Sequence, residues 1–97
     1  MSEIELKERI ANLTKTLESI EKVIDVPSLE KEIDSLQQKV EDPKLWDNAS
    51  RAQTITGALS RAKTKLASFK SLKSQVDDLT VLASMAEQEG DAAAQKE

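Results

Sequence analysis

Residues 42–48 read Asp-Pro-Lys-Leu-Trp-Asp-Asn, DPKLWDN, and they separate two stretches whose apolar residues keep helical spacing. Upstream, Leu29, Ile33, Leu36 and Val40 follow one another at intervals of 4, 3 and 4. Downstream, Ala52, Ile55, Leu59, Ala62, Leu66 and Phe69 are spaced 3, 4, 3, 4 and 3. Each series lays a single apolar stripe along an α-helix. Pro43 stops the first helix, because its ring drives Asp42 out of the α region. Asp47 or Asn48 can cap the second. A link this short between two striped helices turns the chain back on itself, so DPKLWDN reads as the closed end of a helical hairpin.

Outward from the hairpin, Leu6, Ile10, Leu13, Leu17, Ile20 and Ile24 form a third seam, spaced 4, 3, 4, 3 and 4. Ser2 ahead of Glu5 resembles a capping box. Pro27 is suited to the first turn of the next helix, and Glu30 and Glu32 lie near that helix's positive end. After Phe69 the seam goes on through Leu72, Val76, Leu79, Ala83 and Ala86, but only by a 3-then-3 step. Such a shortened repeat changes the local supercoil, and a bend is favoured over one very long helix, with Asp77-Asp78 capping a fourth short helix. Gly90 reads as the helical end and GDAAAQKE as a linker or tail. The expected fold class is all-α: an elongated, coiled-coil-like antiparallel three-helix bundle running up-down-up. Its helices fall near 3–24, 27–41 and 48–76, with a bend or fourth helix (78–89) after Asp77. The domain covers 1–90, and 91–97 is a flexible tail.

Composition narrows the function. The chain has 97 residues, 38% hydrophobic and 33% charged, with two glycines, two prolines and two aromatics, a balance that suits solvated helices and not hairpin-rich sheets. That length allows one domain or a piece of a larger protein. With no cysteine and no histidine, thiol chemistry, disulfides, the usual zinc sites and the commonest neutral-pH base are all excluded. The N-terminus MSEIELKERI has no apolar run of signal-peptide length, and no stretch approaches the roughly 20 apolar residues that span a bilayer. A cytoplasmic location is expected. Gly57 and Gly90 stand alone, and Asp77-Asp78 reads as a solvated or capping pair. No catalytic, cofactor-binding or metal-ligating residue is expected, and the chain reads as no enzyme on its own.

Charge is uneven. Residues 1–24 sum to −1, 25–47 to −4, 48–75 to +6 and 76–97 to −5. The basic segment carries Arg51, Arg61, Lys63, Lys65, Lys70 and Lys73 and no acid. These side chains can meet a polyanion or an acidic partner. Alternatively Lys63, Lys65 and Lys70 pair internally with Glu30, Glu32, Asp34 or Glu41 on the acidic second helix, which is the favoured reading. Leu45 and Trp46 also have two readings: a structural plug over the hairpin end, which is favoured, or a partner's anchor.

Taken in order, IEKVIDVPSLEKEI, EDPKLWDNASRAQ, LSRAKTKL and VDDLTVLASMAEQEGD resemble the N-terminal domain of the bacterial release factor 2 family, class I peptide chain release factors. The likeness covers residues 4–91, and D-P-x-L-W-D followed by R-A-Q is its most specific part. The resemblance implies a factor that terminates translation at UGA and UAA, using a Ser-Pro-Phe and a Gly-Gly-Gln motif. Neither tripeptide occurs here. It therefore implies a helical domain for ribosome docking near the stalk base of the large subunit, and for interplay with the GTPase class II release factor. Codon reading and peptide release are not implied for these residues. A monomer is expected. The alternative is a free-standing helical coiled-coil adaptor, suggested by the seam over residues 6–24.

Overall fold

The computed structural model describes the backbone of residues 2–96 and the side chains of residues 2–90. Among the described residues all regular structure is helical: α1 (Glu3–Ile24), α2 (Val26–Glu41), a 3-10 turn (Pro43–Asp47) and α3 (Ala49–Lys96). The all-α expectation holds. Ser2 opens α1 as its sequence suggests, its Oγ accepting from the Glu5 N–H at 3.1 Å.

A single residue, Asp25, separates α1 from α2. It adopts the left-handed region, at φ 47° and ψ 77°, which is sterically costly for L-residues but less so for Asp. Its N–H donates to Glu21 O at 3.1 Å, and its own carbonyl accepts from Leu29 N at 3.0 Å. Its carboxylate accepts from the Ser28 N–H at 3.4 Å and the Ser28 hydroxyl at 2.8 Å. One residue thus ends one helix and caps the next, one turn ahead of Glu30. The break is needed because Ile24 and Leu29 are five residues apart. At about 100° per residue an unbroken helix would place them roughly 140° apart around its axis. Asp25 resets that phase, and Ile24 packs against the cluster containing Leu29.

The chain divides into two compact units, residues 21–70 and residues 1–20 with 71–97. In the first, Leu29, Ile33 and Leu36 of α2 are buried with Ala62 of α3, and Ile55, Ala58, Leu59 and Leu66 pack around them. The start of α2 lies beside Arg61 to Lys65, and its end beside Arg51, so α2 and this stretch of α3 are antiparallel. In the second unit, Leu17 of α1 and Val76 and Ala83 of α3 are buried. Ile10 and Ala11 line a groove with Thr80, Ala83 and Ser84, and Lys7 reaches Glu87 at 3.0 Å, so this pair is antiparallel too.

Within each unit, then, a shorter helix runs antiparallel to a stretch of α3: α2 in residues 21–70, and α1 in the unit of residues 1–20 and 71–97.

The separate fourth helix expected after Asp77 is not formed, since α3 is one helix of 48 residues through Asp77-Asp78 and Gly90. Ala62, Phe69, Val76 and Ala83, spaced by seven, are all buried, so one apolar line persists through the 3-then-3 step. Only its flank changes. Leu59 and Leu66 stand three residues before a member of the line, whereas Leu72 and Leu79 stand three after. The change falls where α3 leaves the unit holding α2 for the unit holding α1, at residues 70–71. Gly90 takes no positive φ and so does not act as a left-handed cap. The expected tail overlaps α3 as far as Lys96, while Glu97 and the side chains past Gly90 lie outside the described residues.

Candidate functional site

The corner between α2 and α3 is built almost wholly by DPKLWDN. Asp42 leaves the helix with an extended backbone, and its N–H donates to Lys39 O at 3.3 Å. Its Oδ1 accepts from the Lys44 N–H at 3.0 Å, capping the 3-10 turn that Pro43 starts. Leu45 N donates to Asp42 O at 3.1 Å, and Asn48 N to Leu45 O at 3.2 Å. The Asn48 side chain then caps α3, its Oδ1 accepting from Arg51 N at 3.1 Å. Of the two expected caps, Asn48 is the one used.

Leu45 points inward and is buried, as a plug requires. Trp46 does not. It is 58% exposed, and this corrects its reading as the cover of the bundle end. Its indole Nε1 donates to Val40 O at 3.1 Å. The last four carbonyls of a helix lack intrahelical donors, so Trp46 satisfies one of them. The bond holds the ring by its edge and leaves much of its surface in solvent.

The same corner holds a recess of about 190 Å³ lined by Lys39, Asp42, Lys44, Leu45 and Arg51, with Trp46 outside its lining. Its three cations come from three successive elements: the last turn of α2, the 3-10 turn and the first turn of α3. None forms an ion pair among the described residues.

The other basic residues are scattered. Arg61 and Lys65, four apart on α3, share a depression with Glu32 and Leu29 of α2. The Arg61 guanidinium folds back over Gly57, where a Cβ would stand 3.2 Å from Nη1. Lys63 lies two residues from each and so about 200° around the helix, on the face it shares with Lys70. Lys73 stands seven residues after Leu66, at the flank the seam has just abandoned.

Internal pairing of Lys63, Lys65 and Lys70 with Glu30, Glu32, Asp34 or Glu41 is not formed among the described residues, where the ion pair present is Lys7–Glu87. Glu32 comes near Lys65 without pairing. Lys39 and Lys44 escaped the sequence reading because the acidic sum over 25–47 hid them. The signal available was their spacing: Lys39 is in the turn before Pro43 and Lys44 directly follows it.

Among the described residues no group of carboxylates is placed to hold a metal ion, and no helix is long and apolar enough to cross a membrane.

Comparison with known proteins adds a family to this geometry. Residues 29–97 match a PCRF domain. A protein named peptide chain release factor 2 from Mycobacterium avium is 42% identical over 86 residues, 89% of this chain and 23% of the relative. The same-named protein of Corynebacterium aurimucosum is 40% identical over 88 residues, 91% of this chain and 24% of its own length. That of Streptomyces avermitilis is 37% identical over 91 residues, covering 94% and 25% respectively. The chain thus spans about a quarter of the length of the curated relatives it matches. No solved structure matches it.

Proposed function

The chain belongs to the PCRF domain family, and from that premise we propose that it is the N-terminal helical domain of a bacterial class I release factor. The observation that carries this reading is the extent of the likeness: about nine-tenths of the chain aligns with proteins named peptide chain release factor 2. In this proposal the factor terminates translation at UGA and UAA in the cytoplasm. These 97 residues dock on the ribosome, at the stalk base of the large subunit, and take part in exchange with the GTPase class II release factor. They neither read codons nor hydrolyse peptidyl-tRNA, because the Ser-Pro-Phe and Gly-Gly-Gln motifs are absent from the sequence.

The charge distribution is consistent with a docking role. The cations Arg51, Arg61, Lys63, Lys65, Lys70 and Lys73 are exposed and form no ion pair among the described residues, so they are available to an external partner. Contact with ribosomal phosphates would then weaken as salt displaces the protein.

The test is co-sedimentation of the 97-residue chain with mycobacterial large ribosomal subunits across a salt series, beside a peptide-release assay on ribosomes stalled at UGA. Salt-sensitive retention without release is the expected result. Failure to bind subunits at low salt would refute the docking role, and stop-dependent release by this chain alone would refute the division of labour. A free-standing coiled-coil adaptor is the second reading, supported by the seam over residues 6–24. Light scattering across a wide concentration range distinguishes it, since a strict monomer removes a dimeric coiled coil.

A further inference from the structure

The one exposed aromatic of the chain stands in the same corner as a recess lined by three cations, Lys39, Lys44 and Arg51. Trp46 directly follows Leu45, a lining residue, and its Nε1 is bonded to Val40, the neighbour of Lys39. The corner thus presents two kinds of chemistry together, a cationic recess and an open π-face.

The cations have no structural use in the fold, and that of Trp46 is confined to the indole edge that donates to Val40 O. Lys39, Lys44 and Arg51 make no ion pair among the described residues, and Asp42, the one carboxylate lining the recess, has Oδ1 committed to the Lys44 N–H. Trp46 does little packing, because Leu45 already fills the hairpin end. A leucine or alanine at 46 would be adequate there if burial were the need.

Aromatic faces beside basic groups are how proteins hold non-helical RNA: cations take the phosphates, and a ring stacks on an unpaired base. The backbone of the corner is also set in advance. Asp42, Leu45 and Asn48 are all engaged in turn or cap hydrogen bonds, so little ordering remains for a ligand to impose.

We propose that the α2–α3 corner is an RNA-binding site, in which Lys39, Lys44 and Arg51 hold backbone phosphate and Trp46 stacks on an unpaired base. The choice of RNA as the polyanion rests on the ribosome-docking reading. The site itself rests on the corner's geometry.

Trp46 is the sole tryptophan in a chain without tyrosine, so its emission reports on this site alone. The experiment titrates the 97-residue chain with protein-free large-subunit ribosomal RNA in magnesium, following tryptophan emission. It runs in parallel with co-sedimentation on intact large subunits. RNA should quench Trp46. Trp46→Ala should weaken RNA binding, read by electrophoretic retardation, about tenfold, the loss of one stacked base. Trp46→Phe keeps a stacking ring and should stay within about threefold of the wild type. The pair Lys44→Glu and Arg51→Glu should weaken binding at least tenfold and flatten its salt dependence. Circular dichroism melts check that each variant folds, and Lys15→Glu with Lys22→Glu, at exposed positions on α1, serves as the charge-matched control.

Unchanged emission with RNA, or equal binding by wild type and folded Trp46→Ala, would overturn the site. If Trp46→Ala loses intact subunits while the wild type ignores free RNA, the corner binds ribosomal protein and the RNA assignment is wrong. If subunits retain the wild type and all corner variants equally, docking stands and this site falls. If subunits do not retain the wild type but free RNA quenches Trp46 in the expected variant order, the site stands and docking falls.

Discussion

Replacing Asp25 tests whether a one-residue joint carries the phase change between α1 and α2. Three native features are at stake: the carboxylate cap on the Ser28 N–H and hydroxyl, the N–H to Glu21 O bond, and the left-handed backbone at φ 47°. Asp25→Ala keeps the backbone bond but loses the cap, worth about 1 kcal/mol. It also places a residue without a polar side chain in the left-handed region, at a further cost of roughly 1–2 kcal/mol. The expected loss is therefore about 2–3 kcal/mol.

Asp25→Gly separates the two terms. Glycine adopts positive φ freely and is a tolerable N-cap, so only its extra unfolded-state entropy remains, about 0.5–1 kcal/mol. Asp25→Asn preserves both the cap and the conformation and should fall within about 0.5 kcal/mol of the wild type. The order of stability should be Asp, Asn, Gly, Ala. Urea unfolding, followed by circular dichroism and by Trp46 emission, measures it, and the two probes should coincide if residues 21–70 unfold together. An alanine variant as stable as the asparagine one would show that the joint is not held by Asp25. A glycine variant below alanine would show that the left-handed cost is misassigned.

The corner makes a sharp contrast: Leu45→Ala, at a buried position, should cost about 2–4 kcal/mol, whereas Trp46→Ala should cost about 1 kcal/mol, the bond to Val40 O. Chemical denaturation of both variants, followed by circular dichroism, tests the pair, and a reversed order would restore Trp46 as the plug. Ala62→Leu would add volume where Leu29, Ile33 and Leu36 already close on α3, and should lower the denaturation midpoint by an amount equivalent to about 1–3 kcal/mol. Gly57→Ala should do the opposite. The gain in helix propensity approaches 1 kcal/mol, and the only close neighbour is the movable tip of Arg61, so thermal melts should show net stabilisation.

What the sequence disclosed tracks what depends on spacing. The seam residues Leu29, Ile33, Leu36, Ala62, Phe69 and Val76 are buried as their intervals demand. Pro43 stops α2 where its sterics require. Three seam positions do not follow: Leu13, Leu79 and Ala86 are exposed, because a helix with a single partner covers only a narrow stripe. The partner of α1 was not legible, since a proline near a seam break marks a boundary without saying which helix the seam of residues 6–24 faces. Nor was the joint itself, which Asp25 makes through a dihedral angle that no residue spacing encodes. The basic segment misled for another reason. Summing charge along a sequence groups Arg61 with Lys63, which face apart, and separates Arg51 from Lys39 and Lys44, which meet.

The burial pattern explains why so much is concentrated at the corner. No large side chain in the described chain is fully buried, so the helices are held by one stripe each and owe more than usual to their ends. A tryptophan at position 46 serves such an end without entering the core, because its indole N–H reaches a free carbonyl at the last turn of α2. Phenylalanine would present a similar stacking face but leave Val40 O to solvent. The two roles of Trp46 are therefore separable by one substitution. Trp46→Phe should lower the stability of residues 21–70 by about 1 kcal/mol while leaving RNA affinity nearly intact. Parallel loss of both would mean that the bond to Val40 O positions the ring for its ligand, so that the cap and the binding face act as one device.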